Sequence, residues 1–417
     1  MSKLGEICKI SSSKRIFENE YQESGVPFIR GQEISDGSLL SNSCFNCYIA
    51  KERFNEIKNK YGVPKKGDIL ITAVGTIGNV CFLNKDIDFY FKDGNVLWIK
   101  NFSDNVVPEY LYFYLKSPFF KKTIGHSLIG AVQKALTMQM LSEIDIQLPP
   151  IEYQKSVVTI LKSIEDKISN NNKINAELES LAKTIYDYWF LQFEFPNEEG
   201  KPYKSSGGKM VWNEELKRKI PEGWASENFG KLFSSQAGFA FKSTDWVEKG
   251  FPVLTIKSIQ NNCQVDMSQA SFISNFEDKH LKYKVRNGNI IFAMSGNTIG
   301  KIGVIASKES NIFINQRVLI IKTTSEDLAY IYFLFNDKAM QNNIRQKGAN
   351  SAQPNISEES LRAIKVCIPQ EAILNKYNKL CKKFFDVIIQ NNIENRELSS
   401  LRDFLLPMLM NGQISFR

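Results

Sequence analysis

Histidine is almost missing: the 417 residues contain two, His126 and His280, each in a polar stretch that reads as surface. A histidine-based metal site or acid-base centre therefore has little to draw on. The seven cysteines (Cys8, Cys44, Cys47, Cys81, Cys263, Cys367, Cys381) are odd in number and scattered. That pattern excludes a disulfide framework and predicts free thiols in a reducing compartment. Cys44 and Cys47 form a C-x-x-C, but with no second pair in reach they do not make a structural zinc site. No apolar run approaches the roughly 18 residues that span a bilayer, and residues 1–10 are polar where a signal peptide would be apolar. The expectation is a cytoplasmic protein without a membrane partner.

Catalytic signatures are missing too. No Pro-Asp dipeptide, no Asn-Pro-Pro-aromatic motif and no cofactor-binding G-x-G loop after a strand occurs. Gly296-Asn297-Thr298-Ile299-Gly300-Lys301-Ile302 resembles a phosphate-binding loop, yet it is one residue short between its glycines. Ile302 also stands where Ser or Thr would bind magnesium. Gly75-Thr76-Ile77-Gly78-Asn79 lacks even the lysine, and both stretches read as hairpin loops. These absences favour a binding scaffold over an enzyme. The net charge of +8, from 53 Lys and Arg against 45 Asp and Glu, permits a polyanionic partner without demanding one.

What is present is a repeat. Asn171, Asn172, Asn175, Glu177, Leu178, Ser180 and Leu181 recur 220 positions later as Asn391, Asn392, Asn395, Glu397, Leu398, Ser400 and Leu401. The same offset carries Tyr112-Phe113 to Tyr332-Phe333 and Gln133 to Gln353. With a drift of a few residues, Gly67-Asp68-Ile69-Leu70-Ile71 matches Gly288-Asn289-Ile290-Ile291-Phe292, and Gly25-Val26-Pro27-Phe28 matches Gly250-Phe251-Pro252-Val253. Two copies this long are a duplicated domain unit, not a solenoid.

Each copy opens with short β-type runs separated by Gly, Asn and Ser turns, around one helical stretch. Each closes with a long segment of helical period. The predicted organisation is an α/β (α+β) globular domain at 1–150, a long helix at 151–193, a surface linker at 194–221, a second globular domain at 222–369, and a second long helix with a tail at 370–417.

The first helix shows an a/d seam from Val157 to Trp189 and the second from Tyr377 to Leu409, both apolar at the ends with two asparagines in the middle. Paired as an antiparallel coiled coil, Asn171 faces Asn395, Asn175 faces Asn391, Ala182 meets Phe384, and Val157 meets Leu409. Buried asparagines stabilise little but penalise shifted registers, so these four are expected to set the axial alignment; the alternative is a solvated helix crossing. About 36 helical residues at 1.5 Å each span roughly 54 Å, a ruler between two globular domains related by a pseudo-twofold axis.

The duplicated plan, the Leu148-Pro149-Pro150-Ile151-Glu152-Tyr153-Gln154 entry to the first helix, and Gly25-Val26-Pro27-Phe28-Ile29-Arg30 point to one family. So does the stretch from Phe195-Pro196-Asn197 through Pro202-Tyr203-Lys204 to Ile220-Pro221-Glu222-Gly223-Trp224. Together they resemble, over nearly the whole chain, the specificity subunit of type I restriction-modification enzymes. The resemblance implies two target-recognition domains that each read half of a bipartite site in double-stranded DNA, with helices that set the unread gap. It also implies two docked methyltransferase subunits and, joining them, translocating endonuclease subunits. S-adenosylmethionine is then expected in the methyltransferase subunits, with no cofactor in this chain. The first domain lacks the Ile-Pro-Glu-Gly-Trp lead-in of the second, which implies a shortened start, and the second helix lacks the doubled proline.

Base reading needs forked polar side chains on loops, and phosphate contacts need Lys, Arg, Ser or Thr. Positions matched between the copies supply the candidates. They are Arg30 and Gln32 with Lys257 and Ser258 after the Gly-x-Pro turns, and Thr76 and Asn79 with Asn297, Thr298 and Lys301 in the post-strand loops. Gln133 and Lys134 with Gln353 and Asn355 precede the last strands; Asn315, Gln316 and Arg317 complete the second domain, opposite the chemically different Asp93, Gly94 and Asn95. Two rival readings stay open: a coiled-coil scaffold with no nucleic acid, and a specificity subunit for a methyltransferase without a restriction partner.

Overall fold

The computed structural model describes residues 2–35, 37, 39, 45–127, 135–324, 326–348 and 354–414. The chain divides into two compact units, Met1–Lys167 with Leu398–Arg417, and Ile168–Glu397.

Among the described residues, the globular part of the first unit contains two four-stranded sheets. One orders Lys9–Ser11, Val96–Lys100, Ile69–Thr72 and Val80–Phe82. The other orders Tyr21–Gln22, Tyr48–Ile49, Val26–Ile29 and Tyr90–Phe91, with its last pair parallel. The second unit repeats both. Ser234–Ala237, Val318–Lys322, Ile290–Ala293 and Ile302–Val304 form one sheet; Trp246–Val247, Ser271–Ile273, Phe251–Leu254 and Phe313–Ile314 form the other, again with its last pair parallel. The duplication thus extends to strand order and strand direction.

The central strands Ile69–Thr72 and Ile290–Ala293 are buried at every residue, which is why both read as unbroken apolar runs rather than alternating ones. The glycines of the Gly-x-Pro turns are close-approach positions. A Cβ on Gly25 would lie 2.4 Å from the Ile49 carbonyl oxygen, and one on Gly250 would lie 2.2 Å from that of Ile273. Short helices follow each sheet in the same order, and the twin helices Met138–Ser142 and Glu358–Arg362 are both capped by hydroxyls. Thr137 accepts from the Met140 amide at 3.1 Å and Ser357 from the Ser360 amide at 3.0 Å.

The long helices run Ile151–Tyr186 and Glu371–Met410. The first ends through a π turn, Asp187–Leu191, and stops where Phe193 takes φ 64. Within the first unit, Val157 and Leu161 pack with Leu406 and Leu409 against Tyr110 and Phe113. The Tyr153 hydroxyl bonds the carbonyls of Leu409 and Ile414, each at 2.9 Å. Gln154 is fully buried, and its amide is spent on the loop before the Pro108–Lys116 helix: it accepts from Val107 N and donates to the Asn105 carbonyl, both at 2.9 Å. The Tyr153-Gln154 step of the helix-entry motif therefore joins helix to sheet domain.

Within the second unit, Ala182, Tyr186, Trp189 and Phe190 pack with Tyr377, Cys381 and Phe385. The stretch at 194–221 is no loose surface linker. It forms a hairpin of Met210–Asn213 with Arg218–Pro221, and buries Phe195 and Ile220 in the second unit's core. Phe195 stacks on Tyr203 at 4.6 Å and on Trp224 at 5.1 Å. Its Gly, Ser, Pro and Lys content reflects turns, while a few spaced aromatics supply the apolar area that holds it.

Candidate nucleic-acid interface

In each unit, three backbone hydrogen bonds gather loops from distant parts of the chain around the end of the central strand. In the second unit, Asn315 N donates to the Leu254 carbonyl at 2.9 Å, Met294 N to that of Arg317 at 3.0 Å, and Ile356 N to that of Met294 at 2.9 Å. In the first, Lys92 N donates to Ile29 at 2.9 Å, Ala73 N to Asn95 at 2.8 Å, and Leu136 N to Ala73 at 2.8 Å. Corresponding residues make corresponding bonds, so the scaffold is common and the side chains on it differ.

The structure therefore brings most candidates of the second unit together. Asn297, Thr298 and Lys301 occupy the loop between Ile290–Ala293 and Ile302–Val304, with Asn297 exposed and the Thr298 hydroxyl turned back to the Ser295 carbonyl at 3.1 Å. Gln316 and Arg317 are exposed beside that loop, and the Arg317 amide is directed at Asn315 Oδ1 at 3.4 Å. Asn355 is exposed and pairs with Ser295 as an isolated bridge. Lys257 is exposed on the turn that leaves Leu254. Ser258 is a correction: it is 0% exposed, and its hydroxyl donates to the Gln269 carbonyl at 3.3 Å, so it builds the turn instead of facing a ligand.

In the first unit, Arg30 and Gln32 are exposed at the start of the helix Gly31–Ser35. Ser35 ties that helix to the hairpin loop: its Oγ lies 2.8 Å from Thr76 Oγ1 and accepts from Asn79 Nδ2 at 2.9 Å. Arg30, Gln32, Thr76 and Asn79 thus share one surface. Gln133, Lys134 and Gln353 lie outside the described residues. The glycines that imitated a phosphate-binding loop serve the turn, since Gly75 and Gly296 take φ 73 and 72 with open space where a Cβ would stand.

Sequence reasoning missed neighbours on the same scaffold. Arg15 reaches the Asp93 carboxylate at 3.5 Å and its guanidinium lies 5.9 Å from the Phe17 ring; both precede the first matched motif, so the repeat offered no signal for them. His280, expected at the surface, is buried against Phe239 and Phe241, with centroid separations of 4.7 and 5.4 Å. Its Nδ1 accepts the Glu277 amide at 2.9 Å. Among the described residues no cluster of His, Cys, Asp or Glu is placed to hold a metal, and no helix is long and apolar enough to cross a membrane.

On the helices of the second unit, the Asn171 amide donates to Asn395 Oδ1 at 2.9 Å, and Asn391 donates to Asn175 Oδ1 at 2.9 Å. Asn175 also donates to Asn392 at 3.0 Å and Asn395 to Asn172 at 2.9 Å. Residue numbers fall on one helix as they rise on the other, which defines an antiparallel crossing within that unit.

A family model described as "Type I restriction modification DNA specificity domain" matches residues 1–180 and 221–402. The chain is 26% identical to the type I restriction enzyme MjaIX specificity subunit of Methanocaldococcus jannaschii, over 95% of this chain and 88% of that protein. It is 22% identical to the HindI specificity subunit of Haemophilus influenzae, over 99% and 98%. The crystal structure of a type I restriction-modification system S subunit from M. genitalium shares the fold, with a TM-score of 0.56 at 16% identity, covering 98% of this chain and 94% of that one.

Proposed function

The chain belongs to the type I restriction-modification DNA specificity family, and from that premise we propose that its two globular units each read one half of an interrupted site in double-stranded DNA. The observation that carries this reading is the paired scaffold. Corresponding backbone bonds hold loops of different chemistry and length, Asn315-Gln316-Arg317 in one unit and Lys92-Asp93-Gly94-Asn95 in the other. A common frame with different readers is what an asymmetric bipartite target requires.

The long helices carry the rest of the proposal. Leu181, Leu380, Val387, Leu401 and Phe404 stay exposed on them, and Leu181 and Leu401 are repeat equivalents. Exposed apolar side chains at matched sites fit two copies of one partner, the methyltransferase subunit, through which endonuclease subunits would join. The chemistry and its S-adenosylmethionine would then reside in those partners, and this chain would supply the address. The asparagine cluster would hold the helices in one axial register.

The test is selection from a random duplex library by the full chain with its methyltransferase subunits. Enrichment of two short motifs at one fixed separation, with binding that weakens steeply with salt, is expected. Retention without an enriched interrupted motif would sink the reading.

A further inference from the structure

We propose that Arg15 and Phe17 are base-reading residues of the first half-site, with Asp93 as the residue that positions Arg15. This rests on the reading of the preceding section. The Phe17 side chain is 60% exposed and that of Arg15 71% exposed, on a segment at 12–17 outside any helix or strand.

Exposure here comes with a rigid backbone. The Lys14 amide donates to the Tyr90 hydroxyl at 2.6 Å, and Ile16 is buried between the two exposed residues. The Phe17 amide donates to Glu20 Oε2 at 2.9 Å, and Glu20 is held in turn by Arg53 at 2.8 Å. Phe17 and the Arg15 guanidinium 5.9 Å from its ring thus form an exposed aromatic and cation pair on an anchored backbone, a surface on which a base can stack.

Position names the ligand. Asp93, which Arg15 reaches, belongs to the loop that bonds both Ile29 and Ala73, the centre of the candidate interface. In the second unit the corresponding loop carries its own cation, Arg317. In the first, Asn95 stands at the position of Arg317 by its bond to the central strand, and the loop carries Asp93 beside Lys92, with Arg15 coming to that acid from a separate segment. The Asp93 carboxylate lies against Arg15 Nε, which leaves the two Nη groups of the exposed guanidinium for the bidentate pairing by which Arg reads guanine. Phe17 then lies against the neighbouring base or a thymine methyl. Its counterpart, by the matching turns Glu18–Glu20 and Ser243–Asp245, is the N-cap residue Lys242, so the two copies diverge at this position as readers of different bases would.

The experiment repeats the library selection with Arg15→Ala and Phe17→Ala chains in the same complex, followed by titration of the wild-type site. The expected result is lost preference at one or two adjacent base pairs of one half-site, with the other half-site and the spacing unchanged. Affinity for the wild-type site should fall about tenfold or more, the scale of one aromatic or bidentate base contact. Retained preference at the remaining base pairs of the first half-site shows that the variants fold. Unchanged motifs with affinity reduced equally on every duplex would mark phosphate contacts and overturn the inference, as would no change at all. A wild-type chain that selects no interrupted motif would instead overturn the reading beneath it.

Discussion

Asn171 and Asn395 meet amide to amide across the two long helices of the second unit, 2.9 Å apart, with Asn171 1% exposed. Two short polar side chains there are satisfied only by each other and their neighbours, so a shift along the helix would bury an unpaired amide.

Asn171→Ala should destabilise the protein by about 1 kcal/mol, the net worth of its hydrogen bonds to the half-buried Asn395 and Glu394. Replacing both Asn171 and Asn395 by Leu should recover much of that loss while broadening the spacing of selected DNA sites. Urea denaturation and library selection read the two effects, and a single sharp spacing in the double variant would exclude a register role.

Arg317→Ala should relax the second half-site at one base pair and cost about 1–3 kcal/mol of binding there. Lys301→Ala should instead weaken all duplexes alike and lower the salt slope by about one. Competition binding at several salt concentrations separates the two. Equal loss on all duplexes for Arg317→Ala would move that residue to the phosphates.

Gly250→Ala places a methyl 2.2 Å from the Ile273 carbonyl oxygen, on backbone that cannot step aside cheaply. A loss of at least about 2 kcal/mol is expected, as for other overpacked sites. Gly37→Ala, with nothing near its Cβ direction, isolates the cost of a positive φ from that of the clash. Thermal unfolding of both variants measures the difference.

Burial pushes the Cys8 and Cys81 thiols up to about 12 and that of Cys381 up to about 11. A folded-state value above the unfolded value of about 8.5 means that stability is fully present below pH 8.5 and falls as pH rises toward 11 to 12. Each thiol contributes a slope on the order of 1 kcal/mol per pH unit in that window. Comparing wild type with Cys81→Ala by denaturation at pH 8 and pH 10 should show a flatter decline in the variant. In the native state at pH 8 these three thiols should resist iodoacetamide.

Much of this protein was legible along the chain because its determinants are local or repeated. The Asn171 and Asn391 blocks revealed the duplication, the helical period revealed both long helices, and the Gly75 and Gly296 loops revealed the hairpins, since periodicity and turn chemistry depend only on near neighbours. What depends on distant partners did not show. Ser258 reads as a surface hydroxyl until Gln269 closes over it, and His280 until Phe239 and Phe241 pack on it. Residues 194–221 read as a linker until Phe195 finds Trp224. Arg15 reads as any basic residue until folding brings Asp93, 78 positions on, against it. The amino-acid order alone determined the repeat, the element types and the family likeness. Which polar groups are spent inside the protein and which are left to a ligand was decided by tertiary structure, because burial and hydrogen-bond pairing belong to contacts between segments that only the fold brings together.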